Sequence, residues 1–212
     1  MLRFNNQLAL PEYYNGTEYV VIDSPPTISS VSPTEVASDA GGNETFTING
    51  SRFASGAIVK FVSNNGTEIT ASTVTVVSST QLTAVIAKSS FVNAQEPYDV
   101  KVIKSSGLSA TLADQINVDN APAWTTSAGS LGTIEEDATG NHFTVAATDA
   151  EGDTVSYSLQ SGSLGGLSLN SSTGVISGDP TDVSADTTNS FTLRATAGGK
   201  TADRAFSYVT KN

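Results

Sequence analysis

Apolar residues along this chain come in short β-branched runs separated by turn residues. The runs lie at 45–48, 57–62, 72–77, 81–86, 98–103 and 110–118, and Asn49-Gly50, Asn64-Asn65-Gly66 and Ser105-Ser106-Gly107 punctuate them. That spacing predicts the strands of a β-sandwich. Further on, Val155, Tyr157 and Leu159 alternate onto one face of a strand, and Leu167, Leu169, Val175 and Ile176 flank the turn residues 170–174, a hairpin with one buried face. Near the N-terminus Asn15-Gly16 separates Glu12-Tyr13-Tyr14 from residues 17–21. Asn-Gly favours a tight hairpin because both turn residues take positive φ. Alone, such a hairpin buries too little to be stable in water. Its Phe4, Leu8, Leu10, Tyr13, Tyr14 and Tyr19 are therefore expected to pack elsewhere, either back on the next domain or against another protein chain.

Two proline-bearing stretches divide the chain. Ser24-Pro25-Pro26 and the run from Val118 to Pro122 are extended, because proline fixes φ and restricts the residue before it. The expected organisation is an attachment hairpin over 1–24 and two sandwiches over 25–118 and 119–212. The fold class is all-β, two tandem immunoglobulin-like sandwiches behind a short N-terminal segment. Trp124, the only tryptophan, lies beside the second boundary and is expected to fill the bottom of the second core rather than cap the interface between the sandwiches.

Composition narrows the function. Apolar residues make up 38% of the 212 and charged residues 15%, too apolar a balance for disorder. A net charge of -11 with only 10 Lys and Arg argues against nucleic acid and against anionic membrane surfaces, which need clustered cations. No stretch approaches the ~20 apolar residues of a membrane span. The opening MLRFNN lacks the apolar run of a secretory signal, so the expectation is a chain that neither exports nor anchors itself. With no cysteine, neither disulfides nor Cys-based zinc sites exist.

Catalysis finds little support. The one histidine, His142, follows Gly140-Asn141 at the start of a strand, where an edge or solvated imidazole is ordinary, and no G-x-S-x-G elbow is present. Gly198-Gly199-Lys200-Thr201 resembles half a phosphate loop, but position 194 is Arg where that loop needs Gly, and a tight β-turn accounts for the glycines. The carboxylates at 135–137 and 149–153 have no deep cleft in which to face one another across a sugar. The expectation is a protein that is not an enzyme.

Three resemblances add to this reading. PPTISSVSPTEV at 25–36, TINGSRFASGAIVKFV at 47–62 and YDVKVIKSSG at 98–107 resemble the IPT/TIG immunoglobulin-like domain, which implies that Phe53 plugs the first core. FTVAATDAEGDTVSYSLQSGSLGGLSLNSSTGVISGDPTDV at 143–183 and FTLRATAGGK at 191–200 resemble the cadherin-like Putative Ig repeat of bacterial and phage surface proteins. RFN followed by EYYNGTEYVVID, within the first two dozen residues, looks like the openings of tailed-phage virion structural proteins.

The cadherin-like resemblance implies a calcium site, since calcium takes six to eight oxygens from acidic loops. Asp149 and Glu151 stand where cadherins place a ligand pair, with Asp153 close by. Asp119 lies in the acidic linker before a proline, and Glu135 or, as the candidate ligand, Glu136 would supply an early-strand acid. Gly178-Asp179-Pro180-Thr181 departs from the family's further ligand group, and an EF-hand is excluded because Gln160 stands eleven residues after Asp149. The virion resemblance implies a non-enzymatic phage structural protein on the virion surface. It would dock through residues 1–24 on capsid or tail proteins, with that segment pairing within one chain or assembling an oligomer, and display domains that adhere weakly to host-surface glycans. The rivals are a bacterial cell-surface adhesin and the accessory carbohydrate-binding module of a secreted hydrolase. With 7% aromatics, mostly in core or N-terminal positions, a planar sugar-binding platform is not apparent.

Overall fold

A computed structural model describes residues 1–6 and 10–212, and it divides the chain into two compact units, Met1–Val118 and Asp119–Asn212. Apart from two single-turn 3-10 helices, the regular structure among the described residues is β.

The first unit begins with a small antiparallel sheet. Strands β1 (Leu2–Asn5), β2 (Leu10–Tyr14) and β3 (Tyr19–Val21) pair in that order, so the Asn15-Gly16 hairpin gains a third strand. The turn closes because Asn15 Oδ1 accepts from the backbone N–H groups of Thr17 and Glu18, both at 2.9 Å, while Gly16 takes φ of 106°. A sandwich follows. One sheet orders β4 (Thr27–Ser32), β6 (Asn43–Ser51), β10 (Gln81–Ala87) and β9 (Thr73–Ser78) as β4-β6-β10-β9. The other orders β5 (Glu35–Val36), β12 (Ser109–Val118), β11 (Tyr98–Ile103), β7 (Ile58–Val62) and β8 (Glu68–Thr70) as β5-β12-β11-β7-β8.

Alternation decides which side chains enter this core. Leu82, Ala84 and Ile86 of β10 are buried while their neighbours are not, and Tyr98, Val100 and Val102 of β11 do the same from the facing sheet. Phe46, Phe61, Phe91 and Tyr98 form its aromatic centre, with successive ring centroids 4.7, 5.2 and 5.1 Å apart. Phe53 is buried in the same cluster, as the IPT/TIG-like turn implied. The Tyr98 hydroxyl accepts from Val92 N–H at 2.7 Å, and burial pushes the phenol above its ordinary pKa.

In the second unit β13 (Ala123–Trp124) pairs with β16 (Ala147–Thr148). The main sheet orders β14 (Gly129–Glu135), β21 (Lys200–Lys211), β20 (Thr187–Ala197) and β17 (Ser156–Gly162) as β14-β21-β20-β17. Across the core lie β15 (Asn141–Thr144), β19 (Val175–Ser177) and β18 (Ser168–Leu169). The predicted hairpin joins β18 to β19, its turn closed by Asn170 Oδ1 accepting from Ser172 and Thr173 N–H. Trp124 packs into this core, 5.3 Å from the Phe206 ring and 5.7 Å from Tyr157, and its indole donates to the Ala202 carbonyl at 3.0 Å. One alternation fails. Tyr157 is buried but Leu159 is 42% exposed, because β17 is an edge strand whose register shifts between Leu159 and Ser161.

Candidate functional site

The N-terminal sheet has two unlike faces. Successive side chains on a strand point to opposite sides, so the register places Leu2, Tyr13 and Val20 in one row and Phe4 beside Pro11 in the next. Ile22, whose N–H donates to the Pro11 carbonyl at 2.7 Å, extends that second row. This face carries no charged residue, yet Leu2 is 71%, Phe4 61%, Tyr13 44% and Ile22 39% exposed. A contiguous apolar surface open to water is uncommon on a folded domain.

The other face satisfies itself. Glu12 is buried there, its carboxylate accepting from Arg3 Nε at 2.7 Å and from Asn5 Nδ2 at 2.6 Å, which holds its pKa below the usual carboxylate value, Asn5 first and Arg3 second. The Arg3 guanidinium stacks 3.6 Å over the Tyr19 ring, and Tyr14 lies against Tyr19 with centroids 5.2 Å apart. The six candidate docking residues therefore separate. Phe4 and Tyr13 belong to the open apolar face, Tyr14 and Tyr19 to the opposite one. Leu8 lies outside the described residues, and Leu10 is described only as backbone of β2. Leu2, Pro11, Val20 and Ile22 join the apolar face without having stood out in the sequence, since membership depends on a cross-strand register.

Asp23 fastens this segment to the first sandwich. Its carboxylate accepts from Lys104 Nζ and from Ser106 Oγ, the latter at 2.7 Å, and these two bonds hold its pKa down to about 2.

A second candidate lies in the second unit, where the start of the unit, the loop after β16 and the β20–β21 turn converge. Asp149 Oδ1 accepts from the N–H groups of Glu151 and Asp153, at 3.2 and 3.1 Å, and so organises the loop. Asn120 Nδ2 donates to Glu151 Oε1 at 3.0 Å, and Lys200 Nζ stands 3.3 Å from Asp119 Oδ2. Gly198 explains the close approach. A Cβ there would stand 2.4 Å from Asp153 Oδ2 and 3.0 Å from Asp119 Oδ1, so only a residue without one leaves both carboxylates their space.

The structure thus gathers Asp119, Asp149, Glu151 and Asp153, four of the five carboxylates assigned to calcium. It does not gather Glu136. The β20–β21 ladder pairs Ala197 with Lys200 at the cluster's end and Thr187 with Thr210 at the other, while Glu136 N–H donates to the Lys211 carbonyl. Glu136 is therefore roughly 35 Å away along the strand, with its own partner in Val183 N–H at 2.8 Å. In the sequence Gly198 and Lys200 read only as a tight turn; they reach the acidic loop because the β20–β21 turn brings them beside it.

The cluster holds an unsolved polar problem. Asp119 Oδ1, Asp149 Oδ2 and Glu151 Oε2 are buried with no hydrogen-bond partner. Native structures pair most such atoms, with protein, water or an ion. Among the described residues no three His, Cys, Asp or Glu side chains stand as a group that could hold a metal ion.

Fold and sites define the molecule as a tandem of immunoglobulin-like sandwiches. The chain carries an IPT/TIG domain, matched over residues 26–130, and a second domain of the family described as Putative Ig domain, matched over 125–211. No curated protein matches the sequence. Among solved structures, an I-band fragment of titin, I67-I69, aligns over 89% of this chain and 64% of its own length at 16% identity, with a TM-score of 0.47. Extracellular domains 3-5 of Drosophila OTK align over 89% of this chain and 60% of theirs at 15% identity, with a TM-score of 0.47. The extracellular domain of protocadherin GammaB4 aligns over 89% and 34% at 16% identity, with a TM-score of 0.41. The chain thus spans less than two thirds of each of these relatives.

Proposed function

We propose that this chain is a non-enzymatic display protein that docks through the apolar face of its N-terminal sheet and carries two immunoglobulin-like units for surface adhesion. Its fold is of the adhesion type, and the observation that carries the docking claim is the uncharged face of Leu2, Phe4, Tyr13 and Ile22, open to water. The tie from Asp23 to Lys104 and Ser106 links that docking sheet to the sandwich it carries. The only histidine is engaged by the Gly178 carbonyl at 2.9 Å, which supports a non-catalytic reading.

The finer reading is a structural protein of a tailed-phage virion whose docking partner is a capsid or tail protein. Many copies on one particle would multiply a weak affinity for host-surface glycans. Burying an apolar anchor typically dominates such a contact. The triple substitution Leu2→Ser, Phe4→Ser, Tyr13→Ser is therefore expected to lower the copies retained on purified particles about tenfold or more, with thermal unfolding of both sandwiches unchanged. Full retention by the variant would refute docking through this face. Particles that lack the wild-type chain altogether would move the reading to a cell-surface adhesin.

A further inference from the structure

We infer that the docking partner sends an apolar side chain and a neighbouring carboxylate into a cavity beside the N-terminal sheet, where Arg52 receives the charge. The partner follows from the docking reading, and the chemistry follows from the cavity itself. Where the N-terminal sheet meets the first sandwich, a cavity of about 380 Å³ opens, near the ~300 Å³ lower bound of ligand pockets. Pro11, Ile22, Phe53 and Ala54 give it an apolar lining, and Arg52 and Lys104 add positive charge. Pro11 and Ile22 also belong to the open apolar face, so the cavity adjoins that surface.

Arg52 sets the charge of the occupant. Its backbone takes φ of 60°, in the left-handed region that a bulky residue rarely adopts and a glycine adopts without strain. Residues held in this way cluster at binding sites. Arg52 Nε donates to the Pro25 carbonyl at 2.7 Å, which steadies the guanidinium, and no carboxylate among the described residues pairs with it. The Nη groups are left as a fork for an incoming carboxylate. Lys104 differs, because its ammonium is already bound to the Asp23 carboxylate and stands 3.3 Å from the Ser24 carbonyl oxygen. Arg52 and Lys104 against Asp23 leave the lining with one positive charge, on a chain whose net charge is -11. An acidic group is drawn to this spot and repelled by the chain's overall charge, which orients the partner as it arrives. A bare inorganic anion would leave the apolar lining in water, so the fitting occupant carries both chemistries.

The test is a titration of the full, isotopically labelled chain with the acetylated and amidated tetrapeptide Ser-Leu-Glu-Ser, followed through the NMR signals of the Ile22 and Ala54 methyl groups. Saturable shifts are expected with a Kd on the order of 1 mM, and the Gln counterpart of the peptide should bind about tenfold more weakly, the loss of one charge-assisted contact. Arg52→Gly removes the guanidinium and relieves the backbone. Its thermal midpoint should equal or exceed that of the wild type while the preference for the Glu peptide disappears. On purified particles the same variant should be retained severalfold less than the wild type. No methyl shift up to about 10 mM peptide, or equal affinity for the Glu and Gln peptides, would overturn the inference. The docking reading fails separately: full retention of the Leu2, Phe4 and Tyr13 triple variant would refute that face as the docking surface, and the peptide titration would still decide the chemistry of the cavity.

Discussion

Gly50 shows how narrowly single positions are set. It lies in β6, where β4 runs alongside, and a Cβ added there would meet the Thr27 carbonyl oxygen at 1.9 Å and the Phe53 ring at 2.7 Å. The strand cannot retreat, because Gly50 N–H donates to Thr80 O on its other side at 2.9 Å. Gly50→Ala is therefore expected to destabilise the first unit by about 2–3 kcal/mol, the cost of forcing backbone and a core ring apart. Urea unfolding followed by core fluorescence or circular dichroism would read it, and an unshifted midpoint would show that the crowding relaxes freely. In the sequence Asn49-Gly50 looked like a turn, yet it is strand. Turn-forming pairs are also used where two backbones approach closely, and no single sequence distinguishes the two uses.

At the scale of elements, the link between the N-terminal segment and the sandwich responds to pH. The Asp23 carboxylate is held at a pKa of about 2 against an ordinary 3.8, through hydrogen bonds from Lys104 and Ser106. A carboxyl whose pKa is depressed by folding favours the folded state while charged. Its contribution is fully present above 3.8 and is lost as pH falls toward about 2. Asp23→Asn should consequently lower the thermal midpoint of the first unit near neutrality and converge on the wild type near pH 2. A difference that persists unchanged at that pH would assign the effect to packing instead of charge.

Elements with strong local chemistry were the legible ones. The Asn15-Gly16 and 170–174 hairpins announce themselves through turn residues, Tyr157 and Ile176 through alternation, and Phe53 through the IPT/TIG resemblance. What stayed hidden depends on partners distant in sequence. Strand β1 is four residues long and has no pattern of its own. Strand β5 is two residues long and exists through parallel pairing with β12. Leu159 fits the period and stands opposite buried Leu193, but it lies on an edge strand just before the ladder shifts and so stays exposed. The acidic loop reads as a local motif, so Asp149, Glu151 and Asp153 were visible together, whereas Glu136 looked equivalent and lies at the far end of the sheet.

For the molecule as a whole, each unit closes its own core from its own residues, the first around Phe46, Phe61 and Tyr98 and the second around Trp124, Phe191 and Tyr208. Strand β14, early in the second unit, lies parallel to β21, the last, with Gly129 opposite Phe206 and Glu135 opposite Lys211. Parallel neighbours at the start and end of a unit bear directly on pulling. When the ends of this unit are drawn apart, tension runs along both strands in opposite directions and loads their hydrogen bonds side by side, as in a lap joint, not one after another as in a zipper. A particle-bound or surface-bound chain tethered to a moving target would meet this geometry first. In single-molecule stretching, Ile134→Pro, which removes a donor from β14, is expected to lower the rupture force of the second unit well beyond what its loss of equilibrium stability explains. A force that falls only in proportion to stability would mean that the joint lies elsewhere.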